Sequence, residues 1–118
     1  MNVTMTLPWP PSVNHYWRRV GNRTLISAPG RDYRRSVAHE CMIGGVSGKP
    51  IPGRLAMTIL AKPPDRRRRD LDNILKALLD SIVHAGVIED DSQIDEIQIT
   101  RGDVVADGAV VVRIYGRD

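Results

Sequence analysis

Leu71, Ile74, Leu75, Leu78, Leu79, Ile82 and Val83 recur at i, i+3, i+4, i+7, i+8, i+11 and i+12. An extended chain would scatter these side chains over two faces, whereas a 3.6-residue period stacks them on one. The segment therefore predicts an amphipathic helix beginning at Leu71, with a single stripe that must be covered by a core. Gly86 marks its end.

The rest of the chain supplies the cover. Val3 to Trp9 alternates weakly and reads as a first strand, stopped by Pro8, Pro10 and Pro11. Arg54 to Ala61 reads as a strand ended by "KPPD". "IDEIQITRG" and "GAVVVRIYG" read as two more, joined as a hairpin across "DVVAD" or "ADG". A second helix falls in "GRDYRRSVAHECMIGG", with Tyr33, Val37, Ala38 and Cys41 at helical spacing, and "VSGKPIPG" is a linker. "PPSVNHYWRRVGNRTLIS" is a loop or small hairpin. The order β–α–β–α–β–β implies an α+β two-layer sandwich, a small mixed β-sheet with helices on one face. A length of 118 residues suits one domain, residues 1–118.

Charge narrows the function. Residues 1–69 hold 13 Lys/Arg against 3 Asp/Glu, and residues 70–118 hold 4 against 11. Fourteen of the 17 basic residues are arginine, whose planar fork matches phosphate and stacks on bases. A solvated basic surface is the plainer alternative. No apolar run approaches the roughly 18 residues of a membrane span, and prolines sit where a signal peptide would carry its apolar core. The single cysteine, Cys41, cannot form an intrachain disulfide, so a reducing cytoplasm is expected. Zinc-ligand spacing of His and Cys is absent.

The two charge types meet in "PDRRRRDLDNILKALLD", Pro64 to Asp80. Asp70 and Asp72 cannot share a helix face, since residues two apart point about 200° apart. They act as a pair only if they straddle the helix entry. A plain N-cap accounts for one of them, not both. Asp72–Lys76 and Lys76–Asp80 are also ordinary i, i+4 helix pairs. "EDD", Glu89 to Asp91, adds carboxylates in a turn after the helix. Grouped carboxylates suit Mg²⁺, which in a nuclease activates water and stabilises the scissile phosphate. Arg66, Arg67, Arg68 and Arg69 are placed to grip the backbone on either side of it.

Together "LPWPPSVNHYWR", "PDRRRRDLDNILKALLDSI" and "GVIEDDSQI" resemble the RusA family of Holliday junction resolvases, small endonucleases of bacteria and their phages. The resemblance runs from Leu7 to the last strand, thinnest between Ala28 and Gly53. It implies a homodimer that binds four-way DNA junctions and cuts two opposing strands beside CC dinucleotides, using Mg²⁺ or Mn²⁺, in DNA recombination and repair. By the same resemblance Asp70, Asp72 and Asp91 look like the catalytic metal-binding carboxylates, and Lys76 like the essential lysine. Asp90 takes a supporting place in the metal set.

The N-terminal loop interleaves Trp9, Tyr16 and Trp17 with Asn14, His15, Arg18 and Arg19. Aromatics among arginines stack on unpaired bases and hold phosphates, so Asn14, Trp17, Arg18 and Arg19 are candidate DNA contacts. Trp9, between prolines, reads as packing at the sheet edge. His15 shows no nucleophile partner, and His39 and His84 read as partly buried or surface histidines. A broader nuclease of flaps and forks, and a non-catalytic DNA-binding accessory protein, are the competing readings. Binding alone would gain nothing from carboxylates beside phosphates.

Overall fold

In the computed structural model, which describes residues 2–117, the stripe begins with a 3-10 turn, Leu71–Ile74, and continues as an α-helix, Leu75–His84. Besides 3-10 turns, the described residues form these strands and α-helices: β1 (Asn2–Leu7), α1 (Val13–Tyr16), β2 (Trp17–Val20), β3 (Arg23–Ile26), α2 (Ala28–Ile43), β4 (Leu55–Lys62), α3 (Leu75–His84), β5 (Ile94–Arg101) and β6 (Ala109–Gly116). The helices expected in the "GRDY" and "DLDN" segments are α2 and α3. The loop after the prolines is the hairpin β2–β3, preceded by the single turn α1.

Strands β1, β6, β4 and β5 form one mixed sheet in that order. Its alternation sends Leu55, Met57, Ile59 and Ala61 of β4, and Val110, Val112 and Ile114 of β6, into the interior. Ile74, Ala77, Leu78 and Ile82 meet them from the helical side, with Val37 and Cys41 of α2 in the same core. The α+β two-layer sandwich is thus the observed fold. The buried Cys41 is a core filler.

The expected β5–β6 hairpin is not formed. β5 runs parallel to β4, and β6 pairs antiparallel with β4 and β1 on the other side. The connector is the reason. Gly102 N–H donates to the Ala61 carbonyl at 2.8 Å and Val105 N–H to the Pro63 carbonyl at 3.0 Å. These bonds turn the chain around the end of β4 instead of back along β5. Gly108, with φ of 72°, then sits where a Cβ would be 2.9 Å from the Trp9 Cβ. Trp9 packs against the core there, as its prolines suggest.

β4, α3 and β5 make a parallel crossover, and this sets the place of every acidic residue of interest. Asp70 and Asp72 lie beyond the C-terminal end of β4. The Glu89–Asp91 turn lies before the N-terminal end of β5, whose first residue pairs with Leu55 at the start of β4.

Candidate active site and nucleic-acid interface

The pair Asp70 and Asp72 straddles the helix entry. Asp70 is extended, with φ −86° and ψ 133°, and Asp72 falls inside the 3-10 turn. Asp70 occupies the N-cap position, yet its carboxylate makes no capping bond. Neither side chain has an ion-pair partner among the described residues, and both are exposed. The structural use that would account for such carboxylates is therefore missing.

Lys76 is exposed one turn later and joins neither of its i, i+4 pairs. Its Nζ lies 5.7 Å from the centroid of the Trp17 ring, a cation–π contact. Trp17 is fixed edge-on to Tyr16 at 5.1 Å and 84°. The ring expected to stack on bases thus carries the lysine. Tyr16, read among the possible base-stacking aromatics, is fully buried. Its hydroxyl donates to the Asp80 carboxylate, which also receives Arg34 Nη2 at 2.5 Å and Nε at 3.0 Å. Burial pushes the Asp80 carboxyl up, but the bonds from Tyr16 and Arg34 and the charges of Arg34 and Lys76 bring it below its ordinary value. This Tyr16–Asp80–Arg34 network was not legible, because its members lie 18 and 46 residues from Arg34 along the chain.

Asp90 and Asp91, adjacent in sequence, are put to different use. The Asp90 side chain accepts from Ser92 N–H at 3.0 Å and caps the 3-10 turn Asp91–Gln93. Ser92 thereby holds that carboxyl below its ordinary value. Gln93 Oε1 accepts from the Glu89 and Asp90 N–H groups, and its Nε2 donates to the Ile51 and Gly53 carbonyls at 2.9 and 3.0 Å. The Asp-x-x-Gln spacing is a capping-box signature that the sequence displays. With the turn so pinned, Asp91 is exposed and has no ion-pair partner among the described residues.

As donors, Asp70, Asp72 and Asp91 fit a hard divalent cation: they are exposed oxygen ligands not engaged in ion pairs. Their arrangement within one chain does not. Among the described residues no three His, Cys, Asp or Glu side chains gather as a metal site. The ten residues of α3 alone place roughly 15 Å between the two ends of the crossover.

A cavity of about 660 Å³ opens beside Asp70. Trp9, Pro10, Pro11 and His15 line it together with Arg67, Arg68, Arg69, Asp70 and Asn73. Asn73, which carries no assigned role in the sequence motif, lines the same cavity as Asp70. His15 is held by Ser12, Oγ to Nδ1 at 3.1 Å.

The four arginines separate into two kinds. Arg69 is mostly covered; its guanidinium donates to Asp65 Oδ1 at 2.6 Å and lies 5.9 Å from the Trp9 centroid. Asp65 also accepts from the Arg67 N–H at 2.9 Å. The Arg69 bond, the Arg67 N–H and both charges pull the Asp65 carboxyl down to about 2. Arg69 is therefore a brace for the loop, while Arg66 and Arg68 are exposed without such a partner and Arg67 is mostly exposed. Replacing Arg66 and Arg68 with alanine should lower the log–log salt slope of DNA binding by about 1.8, at about 0.9 per phosphate contact. Arg69→Ala should change the slope less and lower the melting temperature instead. Titrations at several salt concentrations check this; equal slope changes for Arg66→Ala and Arg69→Ala would remove the distinction.

No helix among the described residues is long and apolar enough to cross a membrane. The family model described as "Endodeoxyribonuclease RusA" matches residues 8–115. The crossover junction endodeoxyribonuclease rusA of Enterobacteria phage HK97 is 47% identical over 109 residues, 92% of this chain and 89% of that protein. Its counterpart in Enterobacteria phage 82 is 40% identical over 114 residues, covering 93% and 91%. That of Escherichia coli strain K12 is 38% identical over 114 residues, covering 94% and 92%.

Proposed function

Because the chain belongs to the RusA family of endodeoxyribonucleases, we propose that it resolves four-way DNA junctions by paired hydrolytic cuts in opposing strands, in recombination and repair. The observation that carries this reading is the groove beside Asp70, where arginines line the wall next to a carboxylate that has no structural partner. A protein that only bound DNA would be weakened by that charge.

The working form is a homodimer with Mg²⁺, for which Mn²⁺ substitutes. A junction presents two scissile phosphates, and twofold symmetry matches them. The division of the acidic residues between the two ends of the crossover supports the same conclusion. Asp70 and Asp72 of one copy, with Asp91 of a second, would hold the cation. The chemistry that a bound divalent cation supplies is activation of water and stabilisation of charge on the phosphate. Arg66, Arg67 and Arg68 hold the backbone along the groove. Lys76, steadied over Trp17, offers a positive charge to the phosphoryl oxygens as negative charge builds up in the transition state. The preference for CC dinucleotides goes with the family.

Equal amounts of four-way junction, flap and plain duplex, incubated with the protein and Mg²⁺, test the reading. The junction should be converted to two nicked duplexes, and EDTA should stop it. Flap cutting at the same rate would replace junction resolution with a broader branched-DNA nuclease. Absence of any cut with Mg²⁺ or Mn²⁺ would end the nuclease reading.

A further inference from the structure

The hairpin β2–β3 forms a two-stranded sheet of its own, apart from the four-stranded one. Every residue from Arg18 to Leu25 is exposed, and four residues per strand project roughly 13 Å. A two-stranded hairpin is marginal alone, so this one depends on its root. Ser27 Oγ donates to the His15 and Tyr16 carbonyls, Ser27 N–H donates to the latter at 2.9 Å, and the same Oγ caps α2 at the Gly30 N–H. Gly30 sits so close that a Cβ would lie 2.7 Å from the Tyr16 carbonyl and 2.8 Å from Ile26 Cγ2. The turn is tight as well. Gly21 has φ of 60°, and Asn22 is not among the positive-φ residues, which is a type II′ turn. The arm is held rigidly at its base and sharply closed at its tip.

Register sorts its side chains. Trp17 and Ile26 pair at the root, and Arg19 and Thr24 share their face. The opposite face carries Arg18 against Leu25 and Val20 against Arg23. Val20 is 44% and Leu25 39% exposed, set diagonally between two arginines. Arg18, Arg19 and Arg23 have no ion-pair partner among the described residues. An arm with no acidic residue and two bare aliphatic side chains on one face, Val20 beside the turn and Leu25 nearer the root, is costly unless both are covered by a partner. The charge selects a polyanion, and the aliphatics select a surface that is apolar within it. In DNA that surface is an unstacked base step.

We propose that this arm is a wedge: Val20 and Leu25 enter the opened base step at the branch point of a four-way junction, while Arg18, Arg19 and Arg23 hold the flanking phosphates. Side chains of this kind unstack steps and bend DNA elsewhere, at a cost smallest where stacking is already interrupted. A junction centre is such a place and plain duplex is not, so the wedge contributes shape selectivity. The root adds a link to the chemistry, because Trp17 begins β2 and its ring carries Lys76. The inference rests on the junction-binding reading above and specifies which feature of the junction is read.

The test uses 2-aminopurine beside the branch point, in an Asp70→Asn background that blocks cutting. Binding should raise its fluorescence severalfold on the junction and leave the same base in duplex dark. Val20→Thr with Leu25→Thr keeps strand propensity and all three arginines. It should abolish the rise and weaken junction binding about tenfold, with duplex binding within about twofold, as loss of two buried aliphatic contacts requires. The single substitutions should each give part of the effect, which guards against a misfolded double variant. A junction preference with a dark probe, or an undiminished signal in the double variant, overturns the wedge alone. Equal affinity for junction and duplex overturns the reading beneath it and the wedge with it. If the double substitution turns a dimer into a monomer, this face is a subunit contact and the wedge is wrong.

Discussion

Asp70→Asn protein should bind a four-way junction and leave it uncut, with cleavage reduced by about 10²–10⁴, the scale of several kcal/mol lost when a catalytic cation is no longer held. Asp72→Asn and Asp91→Asn should do the same, and binding should persist or tighten, because each removes a negative charge facing phosphate. The crossover makes a sharper outcome available. If Asp70 and Asp72 of one copy act with Asp91 of another, Asp70→Asn and Asp91→Asn proteins are each inactive yet complement when mixed. In the mixed dimer one composite site carries both substitutions and the other carries neither, so one strand is nicked and its opposite spared. A cruciform plasmid should accumulate as an open circle. A mixture as inactive as its components would return all three carboxylates to a single chain, and cutting by Asp70→Asn alone would sink the assignment.

Tyr16→Ala should cost about 3–5 kcal/mol of stability, the range for emptying a buried aromatic site. Tyr16 is fully buried, and its loss also removes the edge contact with Trp17 and a donor to Asp80. Tyr16→Phe should cost about 1 kcal/mol, since Arg34 still pairs with Asp80. Acid titration distinguishes the two terms. The folded Asp80 carboxyl lies below its unfolded value, so its contribution is complete above the unfolded value near 3.9 and fades as pH falls through the lower folded one. Tyr16→Phe should flatten that acid limb without emptying the core. Chemical unfolding between pH 2 and pH 6 checks both, and a Tyr16→Ala protein as stable as the parent would show that the site is not part of the core.

Tyr16 also shows where sequence reasoning stops. Flanked by His15, Trp17 and two arginines, it reads as part of a DNA-facing loop, and composition cannot say which of two adjacent aromatics turns inward. That depended on Ser27, Asp80 and Arg34, three residues from distant segments. The helical stripe was legible because its period is a local property, and the position of Asp70 and Asp72 at its entry followed from the stripe. The capping role of Asp90 was legible in principle from Gln93. Sheet order was not: β5 and β6 alternate similarly, and alternation assigns a face to a strand without assigning a neighbour. The same limit hid the separation of Asp91 from Asp70, since a helix of this length returns the chain to either edge. Arg69 and Arg66 are identical letters, and only the contact with Asp65 makes one a brace and the other a hand.

The place of β6 has a consequence for synthesis. This strand, made last among the described elements, lies in the middle of the sheet between β1 and β4, with Tyr115 opposite Asn2. Neither neighbour has another partner on that side until it arrives. While the ribosome is still adding residues 109–116, β1 is unpaired and β4 shows one bare edge. The sheet therefore closes only after these residues clear the exit tunnel, and the long-range pairing makes that step slow relative to helix formation. Truncation before residue 109 would leave β1 and the open edge of β4 without a partner, so a lesion far from Asp70 in sequence should leave a chain that cannot become a nuclease at all.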